Sequence, residues 1–139
     1  MDNSWVFKTQ TKIYSRLNAV CTAKLIKDYP DINITMDDHA PTKAKFPNVY
    51  VHFLPSVELG ADLEGQDVNA IYCTVQIEVT VTNGQGITVA NKVSQVVVDC
   101  MKEMRFNATL PEFTNSDSIY RTVSRFTRTI GKDDTLYTV

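Results

Sequence analysis

The sequence has no long hydrophobic run, no surplus of either charge, only two histidines and no closely spaced cysteine pair. Each of these absences removes a class of function. No apolar stretch approaches the roughly 20 residues that cross a bilayer, so no membrane span is expected. Met1 opens a polar N-terminus without the basic patch and apolar run of a secretory leader, which predicts a protein made in the cytosol. A formal charge of -2 supplies no long-range field to gather nucleic acid. The three cysteines, Cys21, Cys73 and Cys100, lie far apart, and each falls on an apolar stripe. They read as small core residues of a reducing compartment rather than a bridge framework.

Recognisable catalytic chemistry is equally scarce. His39 sits in a polar connection and His52 on the polar parity of a strand pattern, with no nucleophile elbow nearby. The acids Glu58, Asp62, Glu64 and Asp67 have no histidine among them and lack the ligand order of a calcium loop. Asn83-Gly84-Gln85-Gly86 precedes a helical pattern but has neither the spacing of a P-loop nor that of a dinucleotide fingerprint, and it reads as a turn. The expectation is therefore no catalytic, cofactor-binding or metal-ligating residue, no cofactor and no enzyme activity.

What is present is the material of one globular domain. At 139 residues, 43% hydrophobic and 22% charged, the chain is long enough to bury a single core, here taken as residues 1–139. Its clearest feature is residues 71–81, where Ile71, Cys73, Val75, Ile77, Val79 and Val81 alternate with Tyr72, Thr74, Gln76, Glu78 and Thr80. That period of two, with neither Gly nor Pro inside, marks a long central strand with one dry face and one polar face.

Other elements follow by the same rules. Residues 1–8 carry Trp5, Val6 and Phe7 ahead of any periodic pattern and read as an N-terminal arm, packed on its own domain or on a neighbour. Residues 9–27 have helical spacing, with Ile13, Leu17, Val20, Cys21 and Leu25 near one face and a stop before Pro30. Residues 31–36 form a short edge strand, 37–45 a polar connection, and 49–53 a second strand ending at Pro55. Residues 55–69 show no regular pattern and are either a hairpin connection or a contact loop. Residues 87–104 form a second amphipathic helix through Val89, Val93, Val96, Val97, Cys100, Met101 and Met104. Residues 110–114 read as a short strand and 115–118 as a turn.

The run 119–130 is strand-like in composition but does not alternate cleanly. A bulge near Ser124, or burial of both faces through a partner chain, would account for that. It carries Arg121, Arg125 and Arg128, the one basic concentration in the chain. These form either a solvated ladder, or a strip that pairs with carboxylates of a neighbouring subunit, or the lining of a passage for DNA. Glu58, Asp62, Glu64 and Asp67 are the natural partners for the second option. Gly131 breaks the strand, and residues 131–139 read as a C-terminal tail. The fold class expected is α+β, a mostly antiparallel sheet with two amphipathic helices packed on it.

Phe46-Pro47-Asn48-Val49-Tyr50-Val51, then Glu58-Leu59-Gly60-Ala61-Asp62-Leu63-Glu64-Gly65, then Asn69-Ala70-Ile71 leading into the long strand, then a valine-rich helix ending in Met101-Lys102-Glu103-Met104, resemble tail terminator proteins of long-tailed bacteriophages. These are also called tail completion or head-tail joining proteins. The resemblance spans about Thr9 to Ile130. It implies an α+β subunit that assembles as a homo-oligomeric ring, typically a hexamer, in the neck of the virion after synthesis in the bacterial cytoplasm. Such a ring caps the tail tube, ends its polymerisation and joins the tail to the neck or head-completion protein, with DNA only as passing cargo. Another neck component, such as a head-closure or adaptor protein, or a tail tube subunit, is the neighbouring alternative. A small-molecule-binding or enzymatic domain with residues 55–69 as a lid is the alternative from a different class.

Overall fold

The unbroken alternation of residues 71–81 becomes β4 (Val68–Thr82), whose odd-numbered residues from Ile71 to Val81 are buried. The structure is a computed structural model that describes residues 3–36, 45–61, 65–82, 84–116 and 119–136. Both edges of β4 are occupied. Along one, β6 (Ile119–Gly131) runs antiparallel from Ala70↔Gly131 to Thr82↔Ile119. Along the other, β2 (Asn48–Phe53) pairs with Thr80 to Val75, and β3 (Val57–Ala61) with Tyr72 to Val68.

β2 and β3 are thus two parts of one side of the sheet. Leu54 still donates its amide to the Thr74 carbonyl at 3.0 Å, but Pro55 has no N–H and the ladder breaks there. A short parallel strand, β1 (Asn33–Thr35), extends the sheet beyond β2, and β5 (Asn107–Ser116) closes the far side against β6. The order of the six-stranded sheet is β1-β2-β4-β6-β5, with β3 attached to β4 off this path. Four of its five strand pairings are antiparallel, and the architecture is α+β, with α1 (Trp5–Leu25) and α2 (Gly86–Glu103) as its helices.

Ile13, Leu17, Cys21 and Leu25 of α1, with Ala90, Val93, Val97, Cys100 and Met101 of α2, join the buried parity of β2, β4 and β6 in one cluster. Both helices therefore cover the same side of the sheet, and apolar burial of this kind contributes roughly 25 cal/mol per Å². The first turn of α1 revises the expected arm at residues 1–8, because the helix already starts at Trp5. Ser4 makes no side-chain cap, so the start is fixed by tertiary contacts instead. Asn3 Nδ2 donates to the Gln66 carbonyl, Asn3 Oδ1 accepts the Val68 amide, and Trp5 Nε1 donates to the Val68 carbonyl, each at 3.0 Å. Phe7, by contrast, remains 70% exposed.

The far end of α2 closes on Arg105, in the left-handed region at φ 67°. The Phe106 amide donates to the Met101 carbonyl at 3.1 Å and the Arg105 amide to the Lys102 carbonyl at 2.9 Å, the paired bonds of a Schellman ending.

Three further expectations change. Residues 55–69 are not irregular throughout, since β3 forms there against β4 with register shifts between Glu58, Gly60 and Ala61. A bulged edge strand has no clean period for a sequence to display. The bulge weighed near Ser124 is not in β6, which keeps continuous register with β4; the irregularity lies across from Ser124 in β5, between Thr109 and Glu112. Alternation is hidden in β6 because its buried parity holds Thr122, Ser124 and Arg128 among Phe126 and Ile130.

The tail is also more than an appendage. The Lys132 amide bonds to the Asn69 carbonyl at 3.0 Å, and Leu136 is buried in the core. The connection at 37–44 and residues 137–139 lie outside the described residues.

Candidate functional site

With both helices on one side, the opposite parity of the sheet has no covering layer among the described residues. The register sets its residues in rows across three strands: His52↔Gln76↔Arg125, Tyr50↔Glu78↔Val123, and Thr80 opposite Arg121. A connected polar network joins these rows. Arg125 Nε donates to Gln76 Oε1 at 3.0 Å, Gln76 Nε2 donates to Glu78 Oε1 at 3.2 Å, and Arg121 Nη2 donates to that same Glu78 oxygen. The Tyr50 and His52 rings stack beside it, with centroids 5.7 Å apart and planes 15° apart.

The three arginines of β6 do not form one strip. Strand alternation places Arg121 and Arg125 on the uncovered side and turns Arg128 toward the helices. Arg128 is 9% exposed, and its Nη2 lies 2.6 Å from Asp134 Oδ2. Asp134 is itself a hub, because its Oδ1 accepts the Leu136 amide at 2.7 Å and Arg105 Nη2 at 3.3 Å. Burial pushes the Asp134 carboxyl up. The Leu136 amide and the Arg128 and Arg105 guanidinium groups outweigh that and hold it below its ordinary value. Arg128 is thus a structural clip and not a surface contact.

The acids are divided as well. Glu58 is exposed on β3 and Asp67 half-buried just before β4, while Asp62 and Glu64 lie outside the described residues. Glu58 stands opposite Ile71 on one edge of β4, and Arg125 opposite Gln76 on the other. Five residues of strand separate those rows, about 17 Å at the usual rise. The structure therefore does not bring Glu58 to Arg125 within one copy. Around Glu58 the β3 edge is apolar: Val57 is 60% and Leu59 50% exposed, and Tyr72, across from Val57, is also exposed.

Gln76, Glu78 and Tyr50 are the members of this surface that sequence reasoning missed. Their signal was the polar parity of β4, which looks the same whether water or a partner covers it. The patch offers guanidinium and amide donors beside aromatic rings, a composition suited to non-covalent recognition.

His52 stands exposed at the rim of this surface, and His39 lies outside the described residues. Burial pushes the Cys21 thiol up to about 12 and those of Cys73 and Cys100 up to about 11, as for inert core thiols. Among the described residues no group of three or more His, Cys, Asp or Glu is gathered to hold a metal, and no helix is long and apolar enough to cross a membrane. Compared with protein-family models the chain matches none, and compared with curated proteins it finds no significant match.

Proposed function

We propose that this chain is a structural virion protein of the tail-terminator kind. Copies form a ring, typically a hexamer, that caps the phage tail tube, ends its polymerisation and joins the tail to the neck or head-completion protein. The ring passes DNA through its lumen without acting on it, and the protein catalyses no reaction. It is made in the bacterial cytoplasm and resides in the virion neck.

The observation that carries this reading is the lopsided layering: two helices on one side of a six-stranded sheet, and an ordered Arg-Gln-Glu-Arg network with stacked rings on the uncovered side. Side chains held in hydrogen-bonded register are prepared for a partner at low entropic cost. Exposed apolar residues on the β3 edge add a second contact surface of different composition. Two unlike surfaces on one chain are what a cyclic assembly requires.

Electron microscopy of the purified protein, alone and with tail tubes, tests the proposal. Closed rings that seat on tube ends and arrest growth are expected. Long cylinders formed by the protein alone would make it a tube subunit instead.

A further inference from the structure

We infer that the root of β3 holds a site for one small monovalent anion of chloride size, bound by the Ser56 hydroxyl and the Arg128 guanidinium on either flank of Cys73. Among the described residues, two side-chain polar atoms are buried without a hydrogen-bond partner, Ser56 Oγ and Arg128 Nη1. Both belong to one row of the sheet. Cys73 pairs with Arg128 of β6, and Ser56 precedes Val57, the partner of Tyr72, so it stands on the other flank of Cys73. Strand alternation turns all three toward the helices, where Cys73 is 1% and Arg128 9% exposed. The Cys73 thiol registers both neighbours: burial pushes it up to about 11, while the Ser56 hydroxyl and the Arg128 charge pull against that rise.

The chemistry of these groups selects the occupant. A guanidinium nitrogen only donates, and a hydroxyl and a thiol can each donate as well, so the row is fitted to an acceptor. Nη2 of the same guanidinium is committed to Asp134 Oδ2 at 2.6 Å, and Asp134 also takes Arg105, so two positive charges share one carboxylate. An anion at Nη1 completes that balance where a neutral acceptor does not, and charge-assisted bonds from a buried donor are the stronger kind. Full burial of both orphaned atoms restricts the occupant to a single atom or a group of similar size. Entry is from the β3 side, because Ser56 follows Pro55, where the ladder against β4 breaks, and the residue as a whole is only half-buried. The site does not depend on the ring reading above; it ties the start of β3 to the Arg128–Asp134 clip.

The test follows thermal unfolding of the full chain while sodium chloride replaces sodium gluconate at one fixed ionic strength, gluconate being too large to enter. A saturable rise of about 3 °C is expected once chloride exceeds its dissociation constant about tenfold. Ser56→Ala, which removes one donor from a half-buried position, should cut that rise by at least half. Arg128→Lys, which keeps the charge but loses the fork, should abolish it; if this variant fails to fold, Ser56→Ala decides alone. Bromide should substitute for chloride, and its anomalous scattering in crystals should place it between Ser56 and Arg128. Equal midpoints in chloride and gluconate would leave the two groups to water and overturn the site. So would a rise that never saturates, a rise undiminished in Ser56→Ala, or bromide located elsewhere.

Discussion

The two sides of β6 carry the same residue type to opposite ends. On the side facing the helices, Arg128 is buried and bound to Asp134, in a clip that also gathers Arg105 and the Leu136 amide. On the other side, Arg121 and Arg125 lie exposed in a hydrogen-bonded network with Glu78 and Gln76. An arginine on the first side is part of folding, because removing either member of a buried pair strands the other charge in a poor solvent. On the second side an arginine costs the fold little and remains available to a partner. The lesson is that a basic cluster in a strand must be divided by parity before a role is assigned to it.

Substitutions can sharpen this contrast. The largest effect is expected for Phe126→Ala on the covered side, where a fully buried ring leaves a cavity: a loss of about 3–5 kcal/mol in denaturant unfolding. Next is Arg128→Ala, expected to cost about 3 kcal/mol by the same measurement, whereas an exposed arginine lost from the same strand would cost much less. The clip also predicts a pH dependence. The folded carboxyl of Asp134 is lowered, so its stabilisation is present above the unfolded value near about 4 and is lost as pH falls through the lowered value. In Asp134→Asn that part of the acid limb should be absent from unfolding curves taken at descending pH.

Smaller still is Ser94→Ala, which removes the 2.7 Å hydroxyl partner of the buried Thr122. About 1–2 kcal/mol is expected, with much of it recovered when Thr122→Val is added, because no orphaned hydroxyl then remains. The smallest effect belongs to Arg121→Ala, below about 1 kcal/mol and diminishing with added salt. A loss from Arg121→Ala as large as that from Arg128→Ala would erase the distinction between the two sides.

Legibility in the sequence follows the same division. β4 was plain because its inward parity is wholly apolar, and α1 and α2 were plain because Ile13, Leu17, Cys21 and Leu25, or Val93, Val97 and Cys100, recur at helical spacing. β6 was recognisable as a strand but not by its facing, since Thr122, Ser124 and Arg128 occupy the inward parity. What lets them do so is supplied by distant residues, Ser94 on α2 and Asp134 beyond the strand, which a local pattern does not register. β3 was missed because its pairing comes from β4 and its register slips.

Among the candidate contacts, Arg121 and Arg125 were visible as a concentration of charge. Their partners Glu78 and Gln76 were not, because a residue on the polar side of a strand looks solvated until its cross-strand neighbours are known.

Pro55 divides one flank of the sheet into two independently hinged panels. Opening can start in the five residues of β3 without dragging β2 away from β4, since no amide at the junction transmits the pull. Amide hydrogen exchange along β3 should accordingly outpace that along β2. A margin that opens on its own leaves the packed interior undisturbed.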